Sequence, residues 1–226
     1  MGKTAPEWVT QVSLLLRDSA GLDVLPSEVT AIGVLPALDQ YSIDRPRSVA
    51  VDLTPTTYYL PLPDAAAGWV SGWSRIEKIE APAGQTPPVR LADGSWVLTR
   101  DAVTPATQVV LMPFTLTVGQ KARVFFTSTW PTPTTDATVD LVPSVAFLPI
   151  CSLAAAMCCW SLATEAARSR QGAMPTDFVD GSERARNLLD VAAGMRVIYN
   201  TFIGLGTAGG ESTQSKGLRS IRMVTS

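Results

Sequence analysis

Few residues in this chain are suited to chemistry, and their types narrow what that chemistry could be. None of the 226 residues is a histidine, so neither a Ser–His nor a Cys–His nucleophile pair can be assembled. The three cysteines, Cys151, Cys158 and Cys159, share one apolar stretch, where a free thiol behaves as a small hydrophobe. An odd, clustered set is no disulfide framework, and without His or spaced Cys pairs a structural zinc site lacks ligands. Glu77 and Glu80 alternate with Arg75 and Lys78, the pattern of a solvated strand face. General acid–base work would need apolar surroundings to shift a carboxylate, and none are evident there. The run from Gly204 to Gly210 follows a helical segment and lacks a Gly-Lys-Ser/Thr ending, so it reads as a hinge and not as a phosphate cradle. The expectation is a non-enzyme with no cofactor and no metal.

Composition agrees with a folded globular protein. Hydrophobic residues make up 46% and charged residues 17%, too apolar a mixture for intrinsic disorder. The net charge of −2 lacks the basic excess of a general nucleic-acid binder. Charge is uneven: Glu7, Asp18, Asp23, Glu28, Asp39 and Asp44 dominate the start, whereas Lys216, Arg219 and Arg222 make the end basic. Opposite ends of this kind could attract one another between neighbouring copies, although an asymmetry of this size is common on protein surfaces. The cysteine usage points to a reducing compartment. Met1 to Pro6 lacks the features of a secretory signal, so the protein is expected to stay where it is made.

The elements that must position these residues fall into three stretches. Thr4-Ala5-Pro6-Glu7 reads as a capping box opening a helix to about Ser19, with Trp8, Val9, Val12, Leu15 and Leu16 inward. Ser27 is expected to cap a second helix, running to about Ser42 with Val29, Ile32, Leu35 and Leu38 inward and kinked or restarted at Pro36. From Arg47 to about Thr138 the period becomes that of strands: Ser48 to Leu53, Thr57 to Leu62, Arg75 to Ile79, Gln108 to Leu116 and Ala122 to Thr129. This predicts an antiparallel unit of about five to seven strands, with Pro61 and Pro113 on edges or bulges. Trp69, Trp73, Trp96 and Trp130 lie in this block, either as its core or as an exposed platform for sugar or protein.

Leu141 to Thr164 carries no charge and is long enough to cross a bilayer. Its prolines, serines and Ala154-Ala155-Ala156 run favour a buried core helix, with a membrane span as the alternative. Ala155, Cys158, Cys159 and Leu162 fall on neighbouring turns and are expected to pack helix against helix or copy against copy. A last helix from near Asp180 or Ser182 turns Leu188, Leu189, Ala192, Met195, Ile198 and Tyr199 inward and ends at Gly204. The predicted fold is α+β: a bundle of about four helices over 1–46 and 139–204, an inserted antiparallel β domain over 47–138 between the second and third helices, and a flexible tail over 205–226.

Several segments together resemble the head–tail connector (adaptor) proteins of tailed bacteriophages. Tyr41-Ser42-Ile43-Asp44-Arg45-Pro46-Arg47 is similar to that family's exit into its first strand, and the stretch from Trp69 to Pro82 resembles its strand motif closing on an acidic residue and a proline. Leu153 to Ala163 is similar to its small-residue third helix. The match covers Val12 to Tyr199, by order and spacing. The resemblance implies a structural virion protein of the neck, assembled in the host cytoplasm. It implies a ring of twelve copies beneath a twelvefold portal protein, with a tail-side neck or tail-completion protein below and DNA passing through without specific binding. It also implies a C-terminal segment reaching the portal, here carried by Lys216, Arg219, Ile221, Arg222 and Met223. No membrane takes part in that reading. Two other classes stay open: a Trp-rich β binding module of another virion or tail protein, and a small membrane-associated protein.

Overall fold

In the computed structural model the chain is a mixed α and β protein whose strands form two small antiparallel sheets. The structure describes residues 3–20, 22, 24–56, 58–100, 108–117, 119–133, 142–168 and 177–205. The described residues form two compact units, one drawn from Met1–Gln40 and Pro131–Ser226 and the other from Tyr41–Trp130. The expected tail lies outside the described residues except for Leu205.

The first unit is helical. Helix α1 (Ala5–Ala20) opens where predicted. The Glu7 carboxylate reaches back to accept from the Thr4 amide at 2.8 Å and from the Thr4 hydroxyl at 3.0 Å. The Thr4 hydroxyl therefore donates to the carboxylate, so the box closes through Glu7. Trp8, Val12 and Leu16 are fully buried, one turn apart, while Val9 and Leu15 are half-buried.

The second helical stretch departs from expectation at both its start and its middle. It begins at α2 (Pro26–Glu28) with Leu25 in the cap position and Pro26 leading the helix, and no side chain caps it. Ser27 thus lies inside the first turn, and Pro26 supplies the start because its missing N–H needs no partner there. Val29–Val34 then forms a π-helical turn leading into α3 (Leu35–Asp44). The Leu35 amide donates to the Thr30 carbonyl, five residues back. The wide turn takes up the disruption expected at Pro36 and lays Gly33 against α4 (Ser144–Arg168).

Helix α4 is the centre of this unit. Ala146, Ile150, Cys151, Ser152, Leu153, Ala154, Ala155, Ala156, Cys158, Cys159 and Ala163 are all buried, with α1, the π turn and α5 (Asp177–Ile203) packed on it. It is long and apolar enough to cross a membrane by length and composition, at a mean hydropathy of 2.0 over its most apolar window. More than half of that window is buried inside the protein, which explains the uncharged stretch as the helix that other helices surround. Trp8 meets Phe147 edge-on at 4.6 Å. Each large side chain fully buried here contributes roughly 1.5–3 kcal/mol.

Among its described residues the second unit holds six strands. Strands β1 (Arg47–Leu53), β6 (Ala122–Ser128) and β3 (Ile76–Glu80) form one sheet in the order β1-β6-β3, and β2 (Tyr59–Pro61), β5 (Gln108–Leu111) and β4 (Val97–Arg100) form the other in the order β2-β5-β4. The alternation in β6 is strict, with Ala122, Val124, Phe126 and Ser128 buried. Ala122, Val124 and Phe126 join Leu60, Ile79, Ala81, Leu91, Val110 and Met112 in one core fed by both sheets. Pro61 sits on an edge strand, as a residue without an amide donor must.

The chain enters and leaves this unit at one place. Tyr41 stacks on Trp130 at 5.7 Å, the Trp130 amide donates to the Ser42 hydroxyl at 3.0 Å, and its indole N–H donates to the Arg45 carbonyl at 2.6 Å.

Candidate functional site

The residues singled out for chemistry are used structurally. Cys158 and Cys159 are fully buried on α4. Burial, with Cys159 close by, pushes the Cys158 thiol up to about 12, and burial pushes Cys159 up to about 11. A thiol held neutral in this way is no nucleophile at neutral pH. Ala155 is fully buried beside them, and Leu162 is half-buried further along the helix. Lys216, Arg219, Ile221, Arg222 and Met223 lie outside the described residues. Gly204 ends α5 in the left-handed region with φ of 84°, the role expected of it.

The paired carboxylates do not share one solvated face. Glu77 is exposed and accepts from the Ser48 hydroxyl at 2.6 Å. Glu80 is 7% exposed and lies 3.3 Å from Lys78 Nζ and 3.8 Å from Arg90 Nε. An isolated bridge between Glu80 and Arg90 brings that second cation to it. The buried carboxylate is thus balanced by two cations, an arrangement that strand alternation alone does not reveal. Lys78 also lies over the Phe125 ring at 3.7 Å. Among the described residues no group of three or more His, Cys, Asp or Glu could hold a metal ion.

The tryptophans do not form one platform. Trp69 and Trp96 pack against the core of the β unit, with Trp69 5.4 Å from Phe126, and Trp130 is held by Tyr41 and Arg45.

The surface that stands out is on α5. Ala185, Leu188, Ala192, Met195, Tyr199 and Ile203 are buried, a stripe of three- and four-residue steps. Leu189 and Ile198, expected inward, are instead 48% and 50% exposed. Ile198 lies on the far flank of the buried stripe, whereas Leu189 starts an exposed row of four-residue steps through Ala193 to Val197. Arg186 and Asp190 lie exposed at its edge, and Arg196 sits over the Trp160 ring at 5.1 Å. An α-helix that packs mainly on one partner buries only one stripe, and α5 packs mainly on α4. A helix with an exposed apolar row beside its buried stripe has a face left for something else. The excess was visible in the sequence: Leu188-Leu189 and Val197-Ile198 place apolar side chains on both sides of any single stripe.

A second apolar surface of the same unit is a groove of about 260 Å³ between α1 and the start of α2, lined by Val9, Thr10, Ser13, Leu14, Arg17, Leu22 and Pro26. Leu25, 63% exposed, stands next to it in sequence. In the β unit, β4 is an edge strand with Val97 and Leu98 both exposed. No protein-family model matches the chain, and no curated protein matches it significantly.

Proposed function

We propose that this chain is a structural protein, one copy of a ring that joins a tailed-bacteriophage head to its tail as a neck adaptor and leaves a channel for DNA. The observation that carries the reading is the exposed apolar row of α5, Leu189, Ala193 and Val197, on a helix whose other side already buries a stripe. A surface of this kind is suited to repeated contact with copies of the same chain. The architecture in this reading is a helical bundle interrupted by an inserted β domain. The resemblance of Tyr41 to Arg47, Trp69 to Pro82 and Leu153 to Ala163 to head–tail connectors supports a place for the ring in the virion neck.

The partners follow from that place. The portal protein sits above and receives the basic segment with Lys216, Arg219, Ile221, Arg222 and Met223, whose alternating apolar and basic side chains suit strand addition or groove insertion. A tail-side protein sits below, where the exposed edge of β4 offers unpaired backbone groups. The ring assembles in the host cytoplasm and needs no membrane and no catalysis. A slightly acidic chain suits a channel wall, because each phosphate contact would add affinity and slow the passage of DNA. The test is co-sedimentation with portal-bearing heads. The full chain is expected to sediment with them, and a chain ending at Gly210 to remain in the supernatant with an unchanged melting temperature. Equal sedimentation of the two chains contradicts the portal role of the basic segment.

A further inference from the structure

We infer that the turn Ala92-Asp93-Gly94-Ser95 is a site of spontaneous covalent modification, at which Asp93 isomerises to isoaspartate through a succinimide. The chain carries the tripeptide Asp-Gly-Ser twice, at 93–95 and at 180–182, so the local sequence gives both aspartates a similar reactivity. The backbone around them differs. Asp93 and Gly94 are exposed in a turn closed by the Ser95 amide, which donates to the Ala92 carbonyl at 3.0 Å. The Ser95 hydroxyl donates to the same carbonyl at 2.7 Å. Gly94 holds φ of 83°, a conformation suited to a residue without Cβ, and the space where a Cβ would stand is open. No hydrogen bond among the described residues ties down its amide, so that nitrogen is free to meet the carboxyl beside it. Asp180 and Gly181 lie instead within α5. Gly181 is the fifth residue of that helix, so its amide belongs to the intrahelical ladder, and closing the ring would require the Asp180 backbone to leave its helical conformation.

The step balances without a cofactor or an oxidant. The Gly94 nitrogen forms a bond to Asp93 Cγ, and the hydroxyl of the neutral carboxyl leaves as water together with the amide proton. Water then opens the ring at either carbonyl. Attack at Cγ restores aspartate, whereas attack at the Asp93 backbone carbonyl gives isoaspartate, whose main chain runs through Cβ and Cγ. Mass and charge are unchanged, but the main chain is longer. The added length falls directly before Trp96, which packs on the β core, and before β4. An aged chain therefore loses the Ser95–Ala92 closure of the turn and offers a displaced β4 edge. The modification does not rest on the ring reading.

Peptide mapping of the aged full chain tests the site. Trypsin cuts after Arg90 and Arg100 and after Arg170 and Arg184, so the two Asp-Gly-Ser copies fall on separate peptides. After prolonged incubation of the folded chain at pH 7, peptide 91–100 is expected as two peaks of equal mass, the new one a substrate for protein isoaspartyl methyltransferase, while peptide 171–184 stays a single peak. In denaturant both peptides are expected to isomerise at comparable rates. Gly94→Ala is expected to suppress the new peak, because a Cβ hinders the attacking nitrogen. Asp93→Asn is expected to hasten ring closure with ammonia leaving, read as the change in peptide mass on conversion to aspartate. A single 91–100 peak from a folded chain that isomerises there in denaturant would overturn the inference, since the turn would then protect Asp93. Equal isomerisation of the two peptides in the folded chain would also overturn it, since the tripeptide and not the turn would set the rate.

Discussion

Gly33, in the π turn, lies so close to α4 that a Cβ placed on it would stand 2.6 Å from Cys158 Sγ and 3.0 Å from the Ala154 carbonyl oxygen. The first distance is closer than side-chain packing allows and the second is tight, so the contact exists because position 33 has no side chain. Two features that look unrelated in the sequence, a glycine in a helical stretch and a cysteine in an apolar one, are thus halves of one helix–helix contact.

Gly33→Ala is therefore expected to destabilise the helical unit by about 1–3 kcal/mol through overpacking. Cys158→Ala removes the nearer of the two obstacles and should recover part of that loss, leaving the share due to the Ala154 carbonyl. Urea unfolding of the two single variants and the double variant measures the coupling. Additive effects would mean that the two residues do not touch.

The thiols of Cys158 and Cys159 should be silent at neutral pH. Their folded values, about 12 and about 11, lie above the ordinary 9.0. Keeping them neutral therefore lends stability that is complete below pH 9 and is lost as pH rises through 11 and 12. Alkylation by iodoacetamide at pH 8 is expected to be slow in the folded chain and rapid in denaturant. The alkaline loss of stability should be shallower in Cys158→Ala/Cys159→Ala. Fast alkylation without denaturant would contradict the burial of these side chains.

Glu7 predicts the opposite pH dependence. The Thr4 backbone amide, then Lys3 and the Thr4 hydroxyl, hold its carboxyl down at about 2, against an ordinary 4.5. The stabilisation is present above pH 4.5 and disappears as pH falls towards 2. Glu7→Gln should melt below the parent at pH 7, with the gap closing in acid. A gap independent of pH would show that the carboxylate does not cap α1.

Gly68 marks a third close contact. It holds φ of +92°, and a Cβ there would meet Ser128 Oγ at 2.7 Å, the same hydroxyl that donates to the Gly68 carbonyl at 2.7 Å. Gly68→Ala is expected to cost about 1–3 kcal/mol through backbone strain and that clash. Ser128→Ala is expected to cost about 1 kcal/mol for the lost hydrogen bond. Chemical denaturation checks both, and a neutral Gly68→Ala would mean that this turn does not rest on β6.

What could be read from the sequence was what depends on near neighbours. The Thr4–Glu7 cap, the Gly204 stop and the strict alternation of β6 each follow from a few adjacent residues, and the structure has all three. Strand β4 was missed because Val97–Arg100 is four residues long and has no alternation to detect. The π turn was missed because Pro36 signals disruption without saying whether the backbone answers with a kink or a wider turn. Ser27 looked like a cap because its type suits one, but Pro26 had already started the helix. Glu80 became a buried residue through cations that strand alternation does not bring into view. Leu189 and Ile198 show the deepest limit. Periodicity identifies apolar side chains, but how wide an arc of the helix turns inward depends on how many helices the chain itself supplies.

The central claim is that this chain works as a closed ring, and the measurement that tests it most directly is the mass of the assembly. Native mass spectrometry of the purified chain over a range of concentrations, alone and bound to its portal, counts the copies. The account predicts a species that grows with concentration or with added portal and stops at one closed number matching the portal symmetry, with no series of larger open oligomers. The free chain is allowed to be a monomer when dilute, since many weak contacts act together once a template gathers the copies. A monomer or a dimer as the final species, with portal present, would contradict the account.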